Sequence, residues 1–223
     1  CHDSHSLELK VDVCADCHTG ATTVEGVRKI RSVASLVDYD GDGNTTEGMK
    51  DEVDGVRAVL LTAIQSYSKD VAKAPIAYDP AAYPYFFNDK NSNGKADADE
   101  AVFPNQYNSW TARMAKAAFN FQTATKDPGA YAHGGKYIIQ LMYDSIEDLN
   151  TKLTTKVDLT KMHRIDHGHF AGSEEAFRHW DEEEGMVPGS CVRCHTGEGL
   201  PMFVKEGAVI SLPASNGLQC ESC

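Results

Sequence analysis

Apolar residues recur every three or four positions over three stretches: Met49, Val53, Val56, Leu60, Ile64, Tyr67; Trp110, Met114, Ala117, Ala118, Phe121; and Ile138, Leu141, Met142, Ile146, Leu149. That spacing is the period of one helix face, so each stretch predicts a helix whose apolar stripe is buried in a common core. A further helix is expected from about Glu174 to Glu184, with Ser173 as its cap, two glutamates in its first turn and Gly185 as its stop. Asp127 followed by Pro128 reads as one more helix start, which places His133 close to a first turn. No apolar–polar alternation of any length appears, so the expected fold class is mainly α, with long loops.

Composition narrows the function. The chain has 223 residues and a net charge of −12 with histidines neutral. A polyanion does not bind nucleic acid by counterion release. The longest strongly apolar run, Ala58 to Ile64, is far shorter than the roughly 20 residues a membrane-spanning helix needs. Hydrophobic content of 41% and charged content of 24% suit a folded chain rather than a disordered one.

The chemistry is concentrated in cysteine and histidine. Six of the seven cysteines stand in Cys-x-x-Cys pairs, and two pairs run directly into histidine: Cys14-Ala-Asp-Cys17-His18 and Cys191-Val-Arg-Cys194-His195. This is the attachment signature of c-type haem. Two thiols add to the two porphyrin vinyl groups, and the next residue lies under the iron, so His18 and His195 are expected as proximal ligands. The chain starts Cys1-His2 and ends Cys220-Glu-Ser-Cys223, each reading as part of the same motif. On that pattern the expectation is an internal piece of a longer polyhaem chain, with two complete and two partial haem sites. A lipid-modified Cys1 is the rival account of the first residue. A zinc ribbon is the rival for the last four cysteines, whose Cys-x2-Cys-x25-Cys-x2-Cys spacing is close to a zinc pattern.

With His2 read as the proximal ligand of the partial N-terminal site and His18 and His195 assigned as above, six histidines are left for the far side of the iron. His169 and His179, just upstream of the second complete motif, are the first candidates, and His133 is the third. His5 is a weaker one, three residues after His2. Solvated loop histidines are the plainer account of His163 and His167. If both axial positions are histidine, the iron is six-coordinate and suited to electron transfer.

Between His18 and Cys191 lie 172 residues without a cysteine, long enough for a domain of their own. Two of its loops are rich in oxygen ligands. Asp89-Lys-Asn91-Ser-Asn93-Gly94-Lys95-Ala-Asp97-Ala-Asp-Glu100 carries oxygen side chains at positions 1, 3, 5, 9 and 12 with glycine at 6, the full calcium-loop template. Its ligands would be Asp89, Asn91, Asn93, the Lys95 carbonyl, Asp97 and bidentate Glu100. The earlier loop, Asp38-Tyr-Asp40-Gly-Asp42-Gly43-Asn44-Thr-Thr-Glu47-Gly-Met49, matches at 1, 3, 5 and 6 but ends in Met49. A variant calcium loop is expected there, closed by Glu47 or Glu52. An acidic turn without an ion is the alternative for both.

Beyond the haem motifs, the runs Asp40-Gly-Asp-Gly-Asn-Thr-Thr-Glu-Gly48, Tyr83-Pro-Tyr-Phe-Phe87, Lys126-Asp-Pro-Gly-Ala-Tyr-Ala-His133, Lys136 to Ser145, His169-Phe and Phe177-Arg-His-Trp-Asp181 are distinctive. In them the chain resembles the large multihaem c-type cytochromes of bacteria that respire on external acceptors. The resemblance implies export to the periplasm, the outer-membrane surface or the cell exterior, and haems packed closely enough to pass electrons on.

The expected organisation is therefore an N-terminal haem-binding segment (1–37), a helical domain with two EF-hand-like calcium loops (38–150) and a C-terminal haem-binding segment (151–223). The expected partners are other redox proteins, further haem domains of the same chain, or a mineral or metal acceptor, with self-assembly into an oligomer or filament open. Electron transfer is the first reading. A reductase with one open haem face and a zinc-and-calcium interaction module are the rivals, the former predicting a high-spin spectrum and the latter a colourless chain.

Overall fold

The computed structural model describes residues 2, 3, 5–11, 14, 15, 18–31 and 37–165. The chain divides into two compact units, one spanning Leu36–Asp166 and the other made of Cys1–Ser35 with His167–Cys223.

Three long helices build the larger unit: α2 (Met49–Asp70), α3 (Ala112–Lys126) and α4 (Gly135–Asn150), following a short α1 (Val24–Arg28) in the other unit. Each of the three packs against the other two. The apolar stripes read from the sequence face inward. Val56, Leu60 and Ile64 of α2, Met114 of α3, and Met142, Ile146 and Leu149 of α4 are all fully buried. Thr111 starts α3 by accepting the Met114 amide on its hydroxyl at 3.2 Å, a side-chain N-cap. Trp110 therefore stands outside the helix whose stripe it extends. Its indole donates to the Tyr107 carbonyl at 3.1 Å and packs edge-on against Phe86 at 5.3 Å.

Two further expectations are corrected. The stretch after Asp127-Pro128 is a run of turns, and α4 begins only at Gly135, after Gly134 in the left-handed region (φ 104°). Asp127 caps the turn instead, accepting the Gly129 amide at 2.8 Å. The chain also contains an antiparallel hairpin of β1 (Ile76–Tyr78) and β2 (Phe86–Asn88), with Ala77 opposite Phe87. Three-residue strands are too short to show alternation. Their inward residues, Ile76 and Phe86, join the core beside α2 and α3.

The helical unit continues past α4. Asn150 donates its amide to the Val157 carbonyl and accepts the Val157 amide, both at 2.9 Å, and so folds the following loop back. Leu153 and Met162 then enter the core. The chain thus leaves the unit beside the place where it enters. The His163 amide donates to the Tyr39 carbonyl at 3.2 Å, and its ring Nδ1 lies 2.8 Å from the Asp38 carbonyl.

Candidate haem and cation sites

In the smaller unit, the first attachment motif starts on a helical turn, closed by the His18 amide donating to the Cys14 carbonyl at 2.9 Å. Cys14 is a half-buried free thiol and His18 is exposed, which suits a thioether anchor followed by an axial ligand. Upstream, Asp3 accepts the amides of His5 (2.9 Å) and Ser6 (3.0 Å). The Ser6 and His5 amides hold its carboxyl down at about 2, so this turn keeps its negative charge at any ordinary pH. His2 places Nδ1 2.9 Å from the Leu7 carbonyl, and both His2 and His5 are exposed. Cys1, Cys17, Cys191, Cys194, His195, Cys220, Cys223, His169 and His179, with the helix expected over 174–184, lie outside the described residues.

His133 belongs to the larger unit, at the end of the turn that Asp127 caps. Both Asp127 carboxylate oxygens approach its Nδ1, at 3.1 and 3.0 Å. Its side chain is 53% exposed.

The two oxygen-rich loops share one internal design. In the first, the Gly43 amide donates to Asp38 Oδ2 at 2.7 Å, Asp42 to Asp40 Oδ1 at 3.1 Å, and Asn44 to Asp42 Oδ1 at 2.7 Å. In the second, Gly94 donates to Asp89 Oδ2 at 2.7 Å, Asn93 to Asn91 Oδ1 at 3.0 Å, and Lys95 to Asn93 Oδ1 at 2.7 Å. The sixth-position glycines, Gly43 and Gly94, have φ of 95° and 79°, which a side chain would resist. The loops close alike as well. The amide after the first aspartate donates to a buried glutamate, Tyr39 to Glu52 Oε2 at 2.8 Å and Lys90 to Glu100 Oε1 at 2.7 Å. Glu52, three residues past the template position, therefore stands where Glu100 stands. Met49, at the template position, packs against the core instead.

The loops differ in charge. Among the described residues, the groups of three acidic side chains whose oxygens converge within 4.8 Å lie at the first loop and the start of α2: Asp38, Asp40 and Asp42, and Asp40, Glu47 and Glu52. In the second loop, positions 3 and 5 are amides that turn their N–H groups on Asp97, Asn91 donating to Oδ2 at 2.7 Å and Asn93 at 2.8 Å. Burial, then the neighbouring carboxylates, push the Glu47 carboxyl up to about 7. Burial likewise lifts Asp40 to about 6, against the Asp42 amide. Burial also acts on Asp38, but the Gly43 and Gly41 amides outweigh it and leave that carboxyl low.

Sequence reasoning missed the residue that makes room for this cluster. Gly55 lies inside α2, where glycine costs about 1 kcal/mol relative to alanine. A Cβ there would come within 1.6 Å of Asp40 Oδ2. The helix leaves a notch, and Asp40 occupies it. The available signal was a mid-helix glycine three residues after Glu52.

Comparison with known proteins adds one likeness. Over 90 aligned residues the chain is 36% identical to the C-type polyheme cytochrome OmcB of Geobacter sulfurreducens, and 37% identical to OmcC of the same species. The alignments cover 34% of this chain and 12% of each relative, so the chain spans a small part of their length. No family model and no solved structure matches. Among the described residues no helix is long and apolar enough to cross a membrane. The chain is thus similar, over about a third of its length, to multihaem c-type cytochromes.

Proposed function

We propose that this chain is an electron carrier whose haems are covalently attached and ligated by histidine on both faces, and that it forms part of a polyhaem array. The observation that carries this reading is the pair of complete motifs, Cys14-x-x-Cys17-His18 and Cys191-x-x-Cys194-His195, in a chain similar to polyhaem cytochromes. Haem supplies one-electron chemistry when bound. The chain supplies thiols that anchor it, imidazoles that ligate it and surroundings that set its potential. His18 and His195 are the proximal ligands, and the distal ones come from among His133, His169 and His179. Catalysis would require an open axial position, which this ligand set does not leave.

Calcium has a structural role in the same proposal. The first loop would hold the ion with Asp38, Asp40, Asp42, Glu47 and Glu52. The second would use Asp89, Asn91, Asn93, the Lys95 carbonyl, Asp97 and Glu100. The shared loop design and the Gly55 notch support it. An extracytoplasmic location follows from haem attachment, as the resemblance implies. The net charge of −12 favours a cationic redox partner or a cation-bridged mineral surface.

A redox titration of the haem-loaded chain, with carbon monoxide added to the reduced form, tests the carrier. Low-spin spectra indifferent to carbon monoxide are expected, and His195→Met should raise the potential of one haem. A high-spin haem that binds the ligand would instead indicate the reductase.

A further inference from the structure

We propose that the outer face of the α3–α4 pair is the contact surface for a second copy of this chain, joined about a two-fold axis so that α3 of each copy lies on α4 of the other. The inference uses only the helical unit and does not rest on the haem reading.

The two helices run side by side and antiparallel. Arg113, near the start of α3, reaches the Asp148 carboxylate and the Thr151 hydroxyl at the end of α4, while Asn120 donates its amide to Ser145 Oγ at 2.9 Å. Each helix rises about 1.5 Å per residue, so these contacts put Lys116 of α3 about level with Glu147 of α4. Met114, Ala117 and Phe121 on one helix and Ile138, Met142 and Ile146 on the other are buried in the core. The opposite side of the pair carries two large apolar rings in water, Phe119 at 71% exposed and Tyr137 at 65%.

Charge supplies the complement. Helix α3 holds Arg113, Lys116 and Lys126 and no acidic residue, whereas α4 ends with Asp144, Glu147 and Asp148 and no basic one. Carboxylates at a helix C-terminus face the negative end of its dipole, so each is better held with a cation beside it. Arg164 pairs with Asp144 and Arg113 with Asp148. Glu147 and Lys116, both exposed, make no ion pair among the described residues. A two-fold axis along the helix direction exchanges α3 with α4 and keeps the levels. Lys116 of each copy then meets Glu147 of the other, and Phe119 is covered. One face with both signs at matched levels fits a copy of itself, whereas a partner of a single sign would leave one row unmatched. The net charge of −12 opposes the approach of two copies, and a face two helices wide is small, so the dimer should be weak, with a Kd of about 10–100 μM.

The test is sedimentation velocity on the full chain, exported with a haem-attachment system, from about 5 to 500 μM, a range that brackets a weak contact of this size. The parent should pass from monomer to dimer across it. Phe119→Ser, on the surface, should weaken the dimer about tenfold or more. Lys116→Glu and Glu147→Lys should each weaken it as well, because each sets like charges together at both symmetry-related pairs. Mixing these two variants should restore association, since in the mixed dimer both pairs are again opposite in sign. A parent that stays monomeric, or a dimer indifferent to Phe119→Ser, overturns the proposal. A mixture that associates no better than its two components overturns the pairing of α3 with α4, even if Phe119→Ser fails to fold.

Discussion

Glycine 55 makes a strong single-residue argument for a cation in the first loop. It forgoes about 1 kcal/mol of helix propensity, and in return Asp40 sits against the helix beside Glu47 and Glu52. Gly55→Ala should therefore improve intrinsic helix stability yet expel Asp40. Calorimetric calcium titration should show affinity at this loop reduced at least tenfold, and an unchanged affinity would remove Asp40 from the ligand set. The same carboxylates set a pH dependence. Asp40 (about 6) and Glu47 (about 7) lie above their ordinary values, so the ion-free folded chain binds more protons than the unfolded one between about pH 4 and 7. Its stability should fall as pH rises through that window. Calcium needs the ionised groups, so affinity should rise across the same window. Melting temperatures at pH 5 and 8, with calcium and with chelator, check both signs. A chelated protein that melts higher at pH 8 would contradict the account.

At the level of elements, α2 joins the two loops. Its first turns carry Glu52 and Gly55 for the first loop, and further along Gln65 donates to the Gly94 carbonyl of the second at 2.7 Å. The first loop also clasps the chain where it enters and leaves the helical unit, through His163 to Asp38 and Tyr39. An ion at a hundred times its Kd adds about 2.7 kcal/mol, which for a chain of this size is about 5–10 °C in Tm. Chelation should speed amide exchange first at Tyr39, Asp40 and His163, while the centre of α4 stays protected. Uniform loss of protection would separate the ion from the clasp. The helical core does not depend on the ion: Met142→Ala, fully buried on α4, should cost about 2–5 kcal/mol in denaturant unfolding with or without calcium. The three long helices were legible in the sequence because their buried faces repeat over about three turns or more. The hairpin was not, because strands as short as Ile76–Tyr78 leave too few positions for a period to show. Nor was the delayed start of α4, where the Asp127–His133 contact holds a turn that local helix signals would have continued.

Across the whole molecule, charge and cofactors act together. A net charge of −12 gathered partly in two oxygen-rich loops repels itself, and the calcium proposed for those loops would offset that repulsion. The Cys-x-x-Cys-His motifs are read from the sequence alone because thioether attachment demands contiguous residues, and the second lies outside the described residues. The contacts of His133 are not legible there, since Asp127, Gly129 and His133 come together only when the turn folds. The closure of the first loop was half legible: its template ends at Met49, and only the folded helix brings Glu52 to the Tyr39 amide. The most direct measurement is an intact mass with a visible spectrum of the exported chain, made alongside a haem-attachment system. The account predicts covalent haem at the two complete motifs and a low-spin spectrum that added ligand does not change. A colourless chain with zinc on its C-terminal cysteines would contradict it.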